Sequence, residues 1–180
     1  NQRKINQKWH SNITSSNHWF LFIRVTSLNK TYDPVKKFTN IVSSSNEKKS
    51  FDEASLSLPS DQAYFIELLQ MLLFFKGIGF GKKVSNPGLT VVLSCWDEIE
   101  GIGDNKKPSE LLYEQLPLFH EFIHANWNGE HLNIIGLSSQ GRKLDKDKGD
   151  VTYDYEEEGY IVSTDGSKSN DLTEILKYVI

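Results

Sequence analysis

The sequence has a single cysteine, Cys95, among 180 residues. An internal disulfide is therefore impossible, the core must hold the fold by itself, and a reducing, cytoplasmic setting is expected. It lacks any apolar run approaching the ~18 residues of a membrane-spanning helix. Its longest apolar stretch, Leu68–Phe75, is interrupted by Gln70, so no membrane is expected as a partner. No signal peptide opens it; the first residues are Asn, Gln, Arg and Lys. Positive charge is also short: 20 Lys and Arg against 24 Asp and Glu leave a net charge of −4. That balance offers no general electrostatic reason to bind nucleic acid or anionic lipid. In a cytosolic protein the Asn-x-Ser/Thr sequons at Asn12 and Asn29 are chance matches.

What is present is a core. An apolar content of 38 % with 12 % aromatics is that of a folded chain, long enough for one compact domain. It begins at Asn1 and stops at Ile180 inside a helical pattern, which suggests a segment of a longer parent chain. Residues 1–17 are polar and read as an arm or linker; the domain proper is expected over 18–180. His18–Val25 is almost wholly apolar and rich in aromatic and β-branched residues, a strand buried on both faces. Residues 29–58 are Ser-, Lys- and Asn-rich and read as a long surface insertion, with a short helix near Asp33–Phe38.

Ser60 and Asp61 open a helix with a wide apolar stripe (Tyr64, Phe65, Leu68, Leu69, Leu72, Leu73, Phe75), closed by the glycines from Gly77. Pro87-Gly88 turns into a strand, Leu89–Leu93, which runs out into Ser94-Cys95-Trp96-Asp97. Pro108-Ser109-Glu110 starts a second helical stretch reaching about Trp127, with a kink or break at Pro117. The next strand, Leu132–Ile135, runs out into Gly136-Leu137-Ser138-Ser139. The charged stretch 140–158 reads as a solvated loop, Tyr160–Val162 as a short strand, and Asp171-Leu172-Thr173-Glu174 as the capping box of a last helix. Strands alternating with helices at this spacing predict a three-layer α/β/α domain on a mainly parallel sheet. Ligands of such sheets bind outside the carboxyl ends of the strands, where Ser94–Asp97 and Gly136–Ser139 both lie.

His120-Glu121-Phe122-Ile123-His124 spells His-Glu-x-x-His. On a helix the two imidazoles share a face and can hold zinc, with Glu121 as general base. A third ligand is not in register: positions 127 and 130 are Trp and Glu, and Asp145, Asp147 and Glu156 fall in the charged loop. The same helix must also pack Leu116, Phe119 and Ile123 on the sheet, so two half-exposed surface histidines are the plainer reading. Cys95 has no neighbouring base or second thiol to make it a nucleophile. Trp96 can serve the core as well as stack on a ligand. The strand His18–Val25 lacks the interleaved basic residues of a nucleic-acid platform.

The chain resembles the double-GTPase proteins of bacterial conflict and phage-defence systems, members of the TRAFAC class of P-loop GTPases. The matching stretches are Asp61–Leu73, Leu89–Glu98, Leu116–Trp127, Ile135–Gly141 and Gly159–Thr173. The resemblance implies that Ser94, Trp96 and Asp97 stand in the guanine-specificity motif, usually Asn/Thr-Lys-x-Asp, with Cys95 replacing the common lysine. It implies that Ser138 and Ser139 form the Ser-Ala-type loop, and that His18–Val25 is the fourth strand of a GTPase sheet. The aspartate would accept both adjacent N–H donors of guanine, and the Ser loop would donate a backbone N–H to its carbonyl. Leaving such buried groups unpaired costs about 1–3 kcal/mol each, which is how a site of this kind rejects adenine.

The phosphate-binding half of that fold is missing: no Gly-x-x-x-x-Gly-Lys-Ser/Thr occurs. The nearest run, Gly77–Lys83, is one residue short, lacks the hydroxyl after the lysine and follows a helix. The expectation is therefore the base-binding half of a P-loop NTPase-like domain. It would take GTP or GDP, and Mg²⁺ only where the missing loop is supplied elsewhere, so GTP hydrolysis is not expected from this segment alone. The partner would be the rest of a parent chain or an effector protein. The alternatives are a nucleotide-free GTPase-like scaffold for assembly and a zinc metallopeptidase using His120 and His124.

Overall fold

Three strands form the parallel centre of the sheet: β1 (His18–Arg24), β2 (Gly88–Ser94) and β3 (Leu132–Ser138), adjacent in that order. β4 (Tyr160–Val162) and β5 (Lys168–Ser169) extend it antiparallel beyond β3. This arrangement is seen in a computed structural model that describes residues 7–28, 60–79, 81–99, 106–141 and 159–178. The mainly parallel α/β architecture is the one the alternation of elements requires. The expected insertion at 29–58, with its short helix, and the charged stretch from 142 to 158 lie outside the described residues.

β2 reads as an unbroken apolar run because it is central and covered on both faces. It is buried from Gly88 to Leu93. One face carries Ile23, Leu89, Val91, Leu93, Leu132 and Ile134 into the main core. That core is closed by α2 (Asp61–Phe75), α3 (Pro108–Gln115) and α4 (Pro117–Asn126), which contribute Leu69, Leu73, Leu111, Leu112, Phe119 and Ile123. The opposite face holds a smaller cluster, Val92, Ile135 and Ile161, covered by Ile175 and Tyr178 of a 3₁₀ segment, Leu172–Tyr178.

Local chemistry sets the helix ends. Ser60 Oγ accepts from the Ala63 N–H at 3.3 Å and caps α2. Gly77 follows its last turn at φ +76°, where a side chain would be strained. Pro117 breaks the second helical stretch in two, with Leu116 between the halves at φ −137°, ψ 62°. The break leaves α4 with donors that lack helical partners. One is satisfied from α2, where the buried Gln62 Oε1 accepts from Leu118 N at 2.8 Å.

Two terminal expectations change. The polar arm expected over 1–17 contains a helix, α1 (Gln7–Ser15). Its buried Ile13 supplies an anchor, and Lys76 Nζ donates to the carbonyls of Thr14 and Ser16 at 3.0 and 2.6 Å, capping its carboxyl end. The last helix forms as 3₁₀ turns instead. Asp171 Oδ1 accepts from both N and Oγ1 of Thr173, at 2.9 and 2.6 Å. Glu174 is engaged by Lys177 at 2.7 Å, so the reciprocal glutamate bond expected of a capping box is replaced by a local turn at Asp171.

Candidate functional site

The parallel register brings the strand ends to one rim. Arg24 lies opposite Ser94, and Ser94 opposite Leu137. The chain leaving β2 therefore emerges beside the chain leaving β3, at the carboxyl edge. After Ser94 it reverses through Cys95, which adopts a left-handed conformation (φ 57°, ψ 45°), at a cost of ~1–2 kcal/mol for a residue with a side chain. A short 3₁₀ turn follows, Trp96–Glu98, closed by Glu98 N to Cys95 O at 3.0 Å.

The Trp96 side chain folds back onto β3, leaving 3 % of the residue exposed. It occupies the space where Gly136 has no side chain: a Cβ there would sit 2.5 Å from Trp96 Cε3. On the β3 side, Ser138 is fully buried and its Oγ accepts from Gly141 N at 2.9 Å, curling the loop. The backbone of Ser139 is approached by Gly159, where a Cβ would lie 2.6 Å from the Ser139 carbonyl oxygen. Both loops are thus set by a close contact that only glycine permits.

Asp97 and Ser139, with Ser94 and Ser138, stand on this one rim, Asp97 partly exposed and Ser139 exposed. Trp96 belongs to the same turn, but its ring is spent in the core and offers no face at the surface. Sequence reasoning missed a neighbouring group. Arg24 Nη2 donates to both carboxylate oxygens of Glu98, at 2.9 and 2.7 Å, and Thr26 Oγ1 donates to Oε2 at 3.0 Å. The Glu98 carboxylate holds the Arg24 guanidinium above its ordinary pKa. The signal available was an arginine ending an otherwise apolar strand. Gly136 and Gly159 were missed as well, although a glycine within a strand pattern marks a close approach.

The other marked motifs lie elsewhere. His120 and His124 stack at 4.3 Å between ring centroids on α4. His120 is half-buried with Nε2 3.0 Å from Ser109 Oγ, while His124 is exposed. Burial, His120 and Lys83 lower the pKa of His124, and Glu121 opposes them. Among the described residues, no group of three or more metal-capable side chains converges on the pair or anywhere else, so a zinc centre lacks its third ligand there. The run Gly77–Lys83 leads out of α2 towards Val84, which bridges Trp127 ahead of β2. It therefore lies towards the amino edge of the sheet, away from Asp97, and a strand follows it where a phosphate loop would open a helix. That edge also holds a cavity of about 450 Å³ lined by His18, Gly88, His131, Asn133 and Tyr178 among others. His18 is held 2.8 Å from Thr90 Oγ1, and burial and then His131 lower its pKa. No described helix is long and apolar enough to cross a membrane.

The rim presents a partly exposed carboxylate, Asp97, and a backbone loop curled by the Ser138 hydroxyl. Among the described residues no Gly-x-x-x-x-Gly-Lys-Ser/Thr run leads from a strand into a helix at that edge. No curated protein and no solved structure matches the chain. The family model described as Double-GTPase 1 matches residues 1–179; by that match over nearly its whole length, the chain belongs to this GTPase-like, nucleotide-binding family.

Proposed function

We propose that the described rim is the base-binding half of a guanine-nucleotide site. Asp97 accepts the two adjacent guanine N–H donors, and the backbone of Ser138–Ser139 donates to the guanine carbonyl. Ser94 closes the strand that carries Asp97. The observation behind this reading is the register that sets Ser94 against Leu137, so that both loops start from the same edge. Trp96 contributes by filling the space over Gly136 and fixing the turn, not by stacking on the base. Phosphates and Mg²⁺ would be held by residues outside the described ones, with GTP hydrolysis only where they are supplied. The protein would act in a bacterial defence or conflict system, as the resemblance implies, alongside an effector.

The test is titration calorimetry of the intact protein with GDP, IDP and ADP. GDP is expected to bind most tightly, and Asp97→Ala is expected to erase its advantage over IDP, which lacks the exocyclic amino group. Equal affinity for GDP and ADP would sink the guanine reading. A nucleotide-free scaffold is the second reading. It is favoured by the burial of the Trp96 ring and by Cys95 in place of a long side chain, so that neither of these two residues covers a base. A scaffold would keep its assembly behaviour in Asp97→Ala.

A further inference from the structure

Asp97 sits in the middle of a turn of three residues, and its neighbours on either side are tethered in opposite directions. Trp96 is sunk against Gly136 of β3. Glu98 is gripped by Arg24 and Thr26, which stand at the end of β1 and just beyond it. Across the intervening turn two backbone bonds are made among the described residues, Glu98 N to Cys95 O and Ile99 N to Trp96 O, the second long at 3.3 Å. The turn also starts from the strained Cys95. Such a segment has little rigidity of its own, so the two tethers weigh heavily on its direction. The Trp96 tether fixes depth. The Arg24 tether fixes rotation, because the carboxylate is held from two sides: Arg24 Nη2 reaches both of its oxygens, and Thr26 Oγ1, which accepts from Arg24 Nε at 3.3 Å, donates to Oε2.

We infer that Arg24 is a positioning residue for base recognition. By clamping Glu98 to the end of β1, it sets the angle at which the adjacent Asp97 carboxylate faces the rim, and so sharpens selection of a base carrying two adjacent N–H donors. This rests on the guanine reading above. Arg24 touches no part of the proposed base position and acts only through the turn. Lysine cannot replace it: an ammonium can reach both oxygens of a carboxylate, as Lys106 does on Glu114, but it has no second nitrogen for the Thr26 hydroxyl that completes the clamp. Two acceptors on one carboxylate must meet two donors on one base edge, so a tilt of the turn costs selectivity before it costs overall affinity.

Two measurements on the intact protein test this, with Arg24→Lys, Arg24→Gln and Thr26→Val as variants. The first is amide hydrogen exchange without nucleotide. The amides of Asp97–Ile99 are expected to exchange several-fold faster in the Arg24 variants while those of Leu89–Leu93 and Leu132–Ile135 stay as they are. The second is the ratio of GDP to IDP affinity, expected to fall roughly two- to fivefold in the Arg24 variants, and to fall no further when Arg24→Gln is added to Asp97→Ala. Unchanged exchange at Asp97–Ile99 overturns the clamp. Faster exchange with an unchanged GDP to IDP ratio overturns the positioning role. Faster exchange in a protein whose wild type prefers no base overturns the guanine reading itself, and the role falls with it.

Discussion

Replacing Gly136 with alanine sets two effects of opposite sign against each other. Alanine restricts the unfolded chain, and on propensity alone it is better than glycine inside a strand by ~0.5–1 kcal/mol. In this strand its Cβ would lie 2.5, 2.6 and 3.0 Å from Cε3, Cδ2 and Cζ3 of Trp96. Those atoms belong to a rigid ring with 3 % of the residue exposed, so the contact cannot be relieved by swinging a flexible side-chain end. Overpacking of this kind costs about 1–3 kcal/mol, and the net expectation is a destabilisation of about 1–2 kcal/mol. The strain is released by moving Trp96, which carries the turn bearing Asp97, so GDP selectivity should weaken in the same variant. Urea unfolding followed by tryptophan fluorescence and by circular dichroism measures the first effect, and calorimetry the second. Trp96→Leu in the Gly136→Ala background should recover part of the loss, giving a coupling well outside additivity. A Gly136→Ala protein as stable as wild type, or one whose cost is unchanged by Trp96→Leu, would refute the packing argument.

Gly159→Ala should destabilise by about 1–3 kcal/mol, because its Cβ meets backbone atoms of Ser138 and Ser139 at 2.6 to 3.0 Å; a neutral urea midpoint would count against it. Trp127→Phe should cost about 2–4 kcal/mol by leaving the Pro87 carbonyl without its 2.9 Å partner in a fully buried site, again read from the urea midpoint. The lowered pKa values of His18 and His124 fix the sign of a pH effect. The unfolded chain takes up those protons first, so the stability present above about pH 6.5 is lost as pH falls towards the folded values. Urea midpoints should therefore drop on acidification from about pH 7.5 to 5.5, less steeply in His18→Asn; a midpoint that rises over that interval would contradict the assignment.

The fold was legible where one physical cause dominated. β2 announced itself because a doubly covered strand has to be apolar throughout, and Ser60 and Pro117 set helix boundaries by hydrogen-bond supply and its loss. α1 was hidden because its sequence carries one buried anchor, Ile13, and its carboxyl end is capped from Lys76, more than sixty residues along the chain. The closing segment was misjudged for the opposite reason. Asp171 offers its carboxylate to Thr173 more cheaply than a capping box offers it to a helix. At the rim, the positions of Asp97 and Ser139 followed from strand ends alone. The burial of Trp96, and the clamp between Arg24 and Glu98, depend on strand register, and local pattern does not encode register.

On the proposed reading, the arrangement of the rim makes the base-binding half a physical unit held by the sheet. Among the described residues, both loops are held from the sheet and its edge: Gly136 under Trp96, Gly159 against Ser139, Arg24 across to Glu98. None of these contacts passes through the segment that would hold phosphate. Among the described residues Cys95 is the one non-glycine residue at positive φ, and it lies where the chain reverses to bring Trp96 back over β3. A residue in that conformation costs ~1–2 kcal/mol, and the burial of an indole against the sheet is worth more than that. The strain therefore persists because the tryptophan pulls it in. The same pull holds the turn that carries Asp97 at the edge where β2 and β3 end. Removing the ring should relax Cys95 and disperse the carboxylate together, so Trp96→Ala is expected to lose base selectivity as fully as Asp97→Ala while the sheet, still closed by α2, α3 and α4, stays folded. Calorimetry with GDP and IDP on a Trp96→Ala protein of native circular dichroism decides this, and retained selectivity would show that the turn does not need its anchor.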